Sequence, residues 1–297
     1  MNPRLLALIA ATVASAIYGV NHTIAKDLMP YHIKPFGFIL LRVSGAALLF
    51  WIISAFYKSE KVDKQDYFRF LGCAFFGMCI NMLAFFKGLS LSTPINSSVV
   101  VTMTPVILLV LSVIFLRERV SWVKVLGIGL GFIGALVLIL FGAQHQKNAP
   151  NIPFGNLLLL VNASAYGVYL ILVKPLVAKY NTITMMKWFF LLGVLMNLPV
   201  SFGEFAEVHW ATLSFDVIWK MGFVIVGTTF MTYLLNLYAL KTLKTSTLGA
   251  FIYLQPVIAA LFAIFVGADR LTPIRMMAAL LIFTGVYLST RTKPLPD

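Results

Sequence analysis

Long apolar runs alternate with short polar breaks along the whole chain. A helix that crosses the hydrocarbon core of a membrane needs about 20 predominantly apolar residues, and ten stretches of this sequence satisfy that requirement. They cover residues 5–26, 36–56, 68–88, 94–116, 120–141, 154–174, 184–203, 217–238, 245–267 and 272–290. Most breaks between them are too short to hold a soluble domain. The pattern therefore predicts an all-α membrane protein with ten transmembrane helices.

The composition agrees with this pattern. The chain has 297 residues, of which 60% are hydrophobic and 11% are charged, whereas soluble domains carry about 25% charged residues. Its mean hydropathy is +0.93. The net charge of +13 does not indicate nucleic-acid binding, because Lys and Arg collect in the breaks between apolar runs. We therefore expect the lipid bilayer as a partner, and no nucleic acid.

The basic residues also predict an orientation. If the N-terminus lies in the cytoplasm, the cytoplasmic segments hold 15 Lys and Arg residues and the opposite side holds 7. Cytoplasmic segments of membrane proteins carry such an excess of Lys and Arg. The charge bias therefore places both termini in the cytoplasm. Arg42 is left over, within the second span.

Two stretches of the sequence occur twice at nearly constant spacing. YGVNHTIAK at 18–26 falls on YGVYLILVK at 166–174, which is a spacing of 148. PINSSVVVTMTPVI at 94–107 falls on TSTLGAFIYLQPVI at 245–258, at a spacing of 151. Spans one to five therefore align in sequence with spans six to ten, as two copies of one unit.

We accordingly divide the chain into two five-helix repeats, residues 1–141 and 154–297, joined by a periplasmic loop at 142–153. Because each repeat has an odd number of spans, the second enters the membrane from the opposite side, and the two repeats are inverted. Secondary transporters commonly have this plan, with the substrate near the midplane between the repeats.

The motifs within the repeats resemble those of a known family. They are Tyr18-Gly19-x-Asn21, Pro105, the FLRE run at 115–118, Gly127, Gly134, Pro256, Asp269 and the IFTG run at 282–285. With these motifs in a ten-span inverted repeat, the chain resembles the EamA-type carriers of the drug/metabolite transporter superfamily over essentially its whole length. Tyr18 replaces the usual Trp, His22 replaces an apolar residue, and Asp269 replaces the usual Glu.

The resemblance implies a transporter that exports amino acids or related small metabolites through the bacterial inner (plasma) membrane. It implies a small-molecule substrate and a monomer or homodimer. We expect no cofactor, no metal and no enzymatic activity.

One face of the first span is small or polar, and it includes Tyr18, Asn21 and His22. A polar stripe is costly against lipid, so it should face the bundle or a watery cavity. Together with matching positions in other spans, it predicts a substrate site without a carboxylate, suited to a zwitterionic or neutral solute. The candidate binding residues are Tyr18, Asn21, His22, Asn81, Phe85, Ser98, Thr102, Tyr166, Tyr169, Tyr233, Asn236 and Tyr253. For any single Ser or Thr, a hydrogen bond to its own helix is the simpler interpretation.

Other residues favour structural roles. Pro105 and Pro256 stand in the middle of matched spans, where proline kinks a helix; they are either hinges or fixed bends. Glu118 and Asp269 lie in short turns beside arginines, and for them a local ion pair or helix cap is the preferred interpretation.

The driving force is left open by the sequence. No Asp or Glu lies in the middle of a span, and His22 is the only histidine within one. A facilitator driven by the solute gradient needs no titrating residue, whereas proton coupling would depend on His22. Broad efflux of toxic organic compounds is an alternative function. An intramembrane enzyme is disfavoured, because the spans lack Gly-x-Ser-x-Gly and His-Glu-x-x-His motifs.

Overall fold

The computed structural model of the chain describes residues 3–57, 60–104, 106–107, 110–111, 114, 121–141, 148–240, 242, 251 and 254–290. Within these ranges the secondary structure is helical, and no β-strand occurs. The helices are α1 (Pro3–Leu28), α2 (Pro35–Ser54), α3 (Lys64–Leu91), α4 (Pro94–Val101), α5 (Trp122–Phe141), α6 (Ile152–Val177), α7 (Thr182–Ala206), α8 (Phe215–Gly222, Phe223–Met231 and Thr232–Leu240), α9 (Leu254–Phe265) and α10 (Pro273–Thr290).

Six of these helices, α1, α2, α3, α6, α7 and α8, are long and apolar enough to cross a membrane. Shorter apolar stretches lie in α5, α9 and α10. The prediction of an all-helical protein with the helices of a membrane protein is thereby confirmed. The count of ten crossings and the cytoplasmic position of both termini remain predictions.

Local sequence explains where several helices begin. The Thr93 side chain accepts a hydrogen bond from the Asn96 backbone N–H at 3.2 Å, and Pro94 follows as the first helical residue of α4. Asn151 caps α6 and Asn181 caps α7 in the same way. Such side chains satisfy N–H groups that have no partner within the helix, and proline is well tolerated in the first turn.

The helices pack in pairs that follow the order of the two predicted repeats. Helices α2 and α7 pack against each other, as do α5 and α10, and α4 and α9. The contact between α3 and α6 in one direction of the repeat corresponds to the contact between α8 and α1 in the other. In the same way, the contact between α1 and α9 corresponds to the contact between α6 and α4. If each of α1 to α5 is exchanged with its counterpart among α6 to α10, the same set of helix contacts results. The predicted repeat boundaries stay a prediction, because residues 142–147 lie outside the described ranges.

Helices α3 and α8 share an irregularity. Each contains a π-helical segment near its middle, Ala74–Ile80 in α3 and Phe223–Met231 in α8. The π-helix is rare, and within α-helices it often marks a functional site. Asn81 and Thr232, the first residues after these segments, belong to the polar region described below.

Charged side chains meet at both ends of the bundle. At the end that the charge bias predicts to face outward, Lys34 pairs with Glu207. At the predicted inner end, Lys179 pairs with Asp66 at 2.6 Å. Between these ends lies an apolar core in which many aromatic side chains are fully buried. The polar side chains of α1 lie within this apolar region.

Candidate functional site

The polar residues of α1 point into the bundle and contact different helices. Asn21 and His22 are each only 3% exposed. The Asn21 Oδ1 atom accepts a hydrogen bond from the Thr228 hydroxyl of α8 at 2.9 Å. The His22 Nδ1 atom lies 2.9 Å from the Ser97 hydroxyl of α4. The polar stripe of α1 therefore joins α1 to both α4 and α8.

Tyr18 continues this stripe one turn earlier. The Thr232 hydroxyl has one proton, which it donates to the Thr228 carbonyl at 2.6 Å. Thr232 consequently acts as acceptor towards the Tyr18 hydroxyl, which lies 2.9 Å away. The Tyr18 ring is thus fixed against α8 through its hydroxyl, while part of its side chain remains accessible.

His22 is also held by an aromatic contact. The Phe85 ring of α3 meets the His22 imidazole edge to face, with a centroid distance of 5.5 Å and an interplanar angle of 67°. Ser97 and Phe85 together enclose the imidazole in this conformation. His22 therefore connects three helices, α1, α3 and α4.

Four tyrosines from three helices lie near one another. The hydroxyls of Tyr18, Tyr166, Tyr169 and Tyr233 are close enough to interact electrostatically. The Tyr166 and Tyr169 rings are stacked with centroids 5.6 Å apart. Tyr18 and Tyr233 are half-buried and Tyr166 is 36% exposed, whereas Tyr169 is buried. We call these four residues the tyrosine cluster.

Arg42 of α2 borders the tyrosine cluster, and the sequence analysis assigned it no role. Its Nε atom donates to the Thr229 hydroxyl of α8 at 2.7 Å. Its guanidinium carbon lies 5.5 Å from the centroid of the Phe86 ring. Tyr18 and Tyr233 both interact with its charge. One sequence signal pointed to it, since an ionisable residue within a membrane span is usually functional.

Two predicted residues make local bonds instead. The Ser98 hydroxyl donates to the Ile95 carbonyl at 2.8 Å, and the Thr102 hydroxyl donates to the Val99 carbonyl at 2.6 Å. Both side chains are almost fully buried. Each hydroxyl therefore satisfies its own helix, as the simpler interpretation of a lone Ser or Thr anticipates.

The remaining predicted residues are placed as follows. Asn81 is bonded across to α6, where its side-chain amide donates to the Asn162 carbonyl at 3.0 Å. Asn236 is half-buried in the last part of α8. Pro256 is buried near the first described residue of α9, and its role as a hinge stays a prediction. Tyr253 and Pro105 lie outside the described residues.

Asp269 has the structural role preferred from its sequence context. It is 3% exposed, and its Oδ1 atom accepts a hydrogen bond from Arg275 at 2.6 Å. Its Oδ2 atom accepts one from the Ile95 backbone N–H at 3.1 Å, in the first turn of α4. Asp269 therefore forms an ion pair and caps a helix of the other predicted repeat. Glu118, its counterpart, lies outside the described residues.

A cleft of about 440 Å³ lies among α3, α5, α6 and the residues Ile107, Val110 and Leu111. Its walls are apolar except for Ser164. It includes none of the predicted binding residues. Within the described ranges, no group of His, Cys, Asp or Glu side chains is arranged to hold a metal ion.

Comparison with known proteins identifies relatives over the full chain. The sequence profile described as "EamA-like transporter family" matches residues 5–140 and 153–291. An uncharacterized transporter of Archaeoglobus fulgidus is 27% identical over 288 residues, which cover 96% of this chain and 98% of that protein. The uncharacterized transporter YetK of Bacillus subtilis is 23% identical over 98% of this chain and 88% of its own length.

Two further similarities bear on substrate and fold. A protein named as a probable terminal-alkyne amino-acid exporter, from Streptantibioticus cattleyicolor, is 26% identical over 206 residues. These cover 66% of this chain and 64% of that protein. A protein of known crystal structure superposes with a TM-score of 0.62, at 17% identity and 96% coverage of both chains. At that identity, the match supports the fold alone.

Proposed function

This chain belongs to the EamA-like transporter family, and we propose that it moves amino acids or related small metabolites across the membrane, as an exporter. The observation that carries the proposal is the polar region in the middle of the bundle. There, Asn21 and His22 are buried, and the tyrosine cluster leaves accessible aromatic surface among the helices. A hydrogen-bonding wall with aromatic surface suits a small zwitterionic solute.

The choice of amino acids has a second support. The Streptantibioticus cattleyicolor relative is named as an exporter of an amino acid. A multidrug transporter of lipophilic cations would instead favour a carboxylate in its cavity. The side chains described around the tyrosine cluster are phenols, hydroxyls, amides and one guanidinium. Broad efflux of cationic compounds is therefore the less favoured function.

We propose alternating access as the mechanism, with the two predicted repeats as the moving parts. In this structure, contacts near the predicted outer end connect α1 with α3 and α4. The Lys26 Nζ atom donates to the Ser90 carbonyl at 2.6 Å, and His22 lies against Ser97. Opening towards that side requires these contacts to separate, while the tyrosine cluster stays between the repeats.

We also propose a location and a driving force. The protein is placed in the bacterial inner membrane as a multi-pass monomer or homodimer. Transport down the solute gradient is favoured over proton coupling, because His22 is enclosed by Ser97 and Phe85. No carboxylate takes part in the described hydrogen bonds of Tyr18, Asn21 or His22.

Counterflow in liposomes tests the proposal. Purified protein is reconstituted, the vesicles are loaded with one unlabelled amino acid, and uptake of the same radiolabelled amino acid is measured across a panel. We expect at least one neutral amino acid to accumulate above the level of protein-free vesicles. If no member of the panel accumulates, the proposed substrate class is wrong.

Two variants sharpen this experiment. Asn21→Leu removes the acceptor of the Thr228 hydrogen bond, and we expect counterflow to fall by roughly tenfold, equivalent to about 1.4 kcal/mol. Ser164→Ala is the matched control, because the Ser164 hydroxyl bonds only within α6, to the Leu160 carbonyl. A pH gradient should leave wild-type counterflow unchanged. A gradient effect that disappears in His22→Gln would establish proton coupling instead.

A further inference from the structure

Arg42 is a buried cation near the middle of the bundle. It is the eighth residue of α2, and only 8% of it is exposed. Its surroundings come from other helices, Thr229 of α8 and Phe86 of α3. An ionised side chain at this depth is costly unless an opposite charge or several hydrogen bonds compensate it.

Thr229 holds only one edge of the guanidinium. Its hydroxyl donates its proton to the Val224 carbonyl at 3.1 Å and accepts from Arg42 Nε at 2.7 Å. No hydrogen bond joins either terminal nitrogen of Arg42 to the described residues. Neither of these nitrogens is among the fully enclosed side-chain atoms that lack a partner. The two terminal nitrogens therefore keep some accessible surface, while Thr229 fixes the other edge of the guanidinium.

The charge of Arg42 also lacks a carboxylate partner in the described part of the chain. The groups that interact with its charge are the hydroxyls of Tyr18 and Tyr233. Arg275, the other buried arginine described, differs in this respect because Asp269 accepts its hydrogen bond at 2.6 Å. In the described residues, one buried guanidinium is thus neutralised by a carboxylate, and the other, beside the tyrosine cluster, is not.

We propose that Arg42 binds the carboxylate of the transported solute through its two terminal nitrogens. The planar guanidinium matches a carboxylate with two parallel hydrogen bonds. The Tyr18 and Tyr233 side chains then surround the rest of the solute. This inference rests on the proposed function, and it adds the requirement that the solute be an anion or a zwitterion with a carboxylate.

A carboxylate fits this site better than a phosphate. A phosphate dianion calls for more than one cation, and in the described structure Arg42 is surrounded by neutral hydroxyls and rings. A single guanidinium beside phenols balances one negative charge. The amide or the decarboxylated amine of the same solute would leave Arg42 uncompensated, so the site should reject both.

Thermal unfolding of the whole protein in detergent tests the binding step without transport. The probes are sodium benzoate, L-leucine and L-phenylalanine, each compared with its amide. A ligand that binds the folded state raises the midpoint temperature as its concentration increases. We expect at least one carboxylate probe to raise the midpoint of the wild type, while its amide has no effect. The proposal is overturned if no carboxylate probe stabilises the wild type, or if the amides stabilise it equally.

Variants locate the effect. Arg42→Gln should abolish the stabilisation by the carboxylate, and Arg42→Lys should keep the charge but weaken binding by roughly tenfold, since the paired hydrogen bonds are lost. Lys187→Gln is the matched control, because Lys187 is also a buried cation but lies over the Trp51 ring, 5.0 Å from its centroid. A carboxylate response that survives Arg42→Gln, or that disappears in Lys187→Gln, contradicts the assignment. The wild-type comparison of acid with amide remains decisive if Arg42→Gln does not fold.

The two proposals fail in different ways. If liposomes transport no amino acid but benzoate stabilises only proteins that retain Arg42, the substrate class is wrong and the carboxylate site stands. If amino acids and their amides are transported equally, and Arg42→Gln transports both, the transporter stands and the carboxylate site is wrong.

Discussion

Asn81 and Asn162 hold each other's backbone across the interface between α3 and α6. The Asn81 amide donates to the Asn162 carbonyl at 3.0 Å, and the Asn162 amide donates to the Asn81 carbonyl at 2.9 Å. Each asparagine therefore acts as donor through its side chain and as acceptor through its backbone. The pair fixes the register of the two helices beside the tyrosine cluster, because a shift of either helix breaks both bonds.

Replacing Asn162 with Leu should destabilise the protein by about 1 kcal/mol, the magnitude of hydrogen bonds between membrane helices. Asn81→Leu should cost a similar amount, and the double variant should cost less than their sum, because residues in contact are coupled and losing one bond weakens the other. Thermal or denaturant unfolding in detergent measures these differences. Ser164→Ala, on the same helix α6, serves as the control, and an equal loss of stability there would contradict the interpretation.

Gly285 should be intolerant of a side chain, because α10 meets α5 backbone to backbone at this point. A Cβ atom on Gly285 would lie 2.4 Å from the Gly131 nitrogen and 2.6 Å from the Gly127 oxygen. Since both neighbours are backbone atoms, relief requires the helices to separate. We expect Gly285→Ala to lower the unfolding temperature strongly, although alanine favours helices by about 1 kcal/mol over glycine.

Gly129 provides the matched control for that experiment. It lies on α5, and a Cβ atom there meets nothing within 4 Å. Gly129→Ala should therefore leave stability unchanged or raise it slightly through helix propensity. If both alanine variants behave alike, close packing at Gly285 is not what limits that position.

Asp269→Asn should be among the most destabilising single substitutions at the predicted outer end. It leaves the fully buried Arg275 without its charged partner, a change that typically costs about 3–5 kcal/mol. The double variant Asp269→Asn with Arg275→Met should recover part of the loss, since no unpaired charge remains. Asp216→Asn is the comparison, because its pair with Lys220 involves a largely exposed carboxylate and should be worth less than about 1 kcal/mol.

The stability that Lys179, in the loop between α6 and α7, contributes to the protein should depend on pH in the alkaline range. The hydrogen bond from Lys179 to Asp63 raises the pKa of the Lys179 ammonium above its ordinary value of 10.5, and the hydrogen bond to Asp66 adds to this shift. A pKa that is raised on folding contributes stability that is fully present below the unfolded pKa. That contribution is lost as the pH rises from 10.5 through the folded pKa. Stability should therefore fall more steeply in the wild type than in Lys179→Met above about pH 10.5. Parallel curves for the two proteins would show that the loop pairs do not contribute.

Much of the architecture follows from the sequence because membrane helices leave strong signals. Apolar runs predicted helices within a few residues of where they lie, as at Pro94 for α4 and Phe141 for α5. The polar stripe of α1 predicted that Asn21 and His22 face the bundle, and both are buried there. These successes rest on the cost of placing polar groups against lipid, which is a property of single helices.

The hydrogen-bond partners of the site residues could not be predicted, because helical periodicity shows which face of a helix a residue lies on but not which helix packs against that face. Ser98 and Asn21 looked alike as polar residues of apolar spans, yet one bonds its own helix and the other bonds Thr228 of α8. The position of Arg42 within a membrane span indicates a functional residue, but the sequence does not show what it contacts. Its significance depends on Thr229, which is 187 residues away along the chain.

The π-helical segments of α3 and α8 change which side chains face the interior in the second half of each helix. Each segment contains more residues per turn than an α-helix, so the faces before and after it are out of phase. Removing one residue from Ala74–Ile80 or from Phe223–Met231 would turn the following part of the helix by about 100°. Asn81 or Thr232 would then leave the interior and a neighbouring side chain would take its place. Single-residue deletions and insertions at these two points would therefore give relatives of this protein a different set of side chains around the solute, without any substitution in the helices themselves.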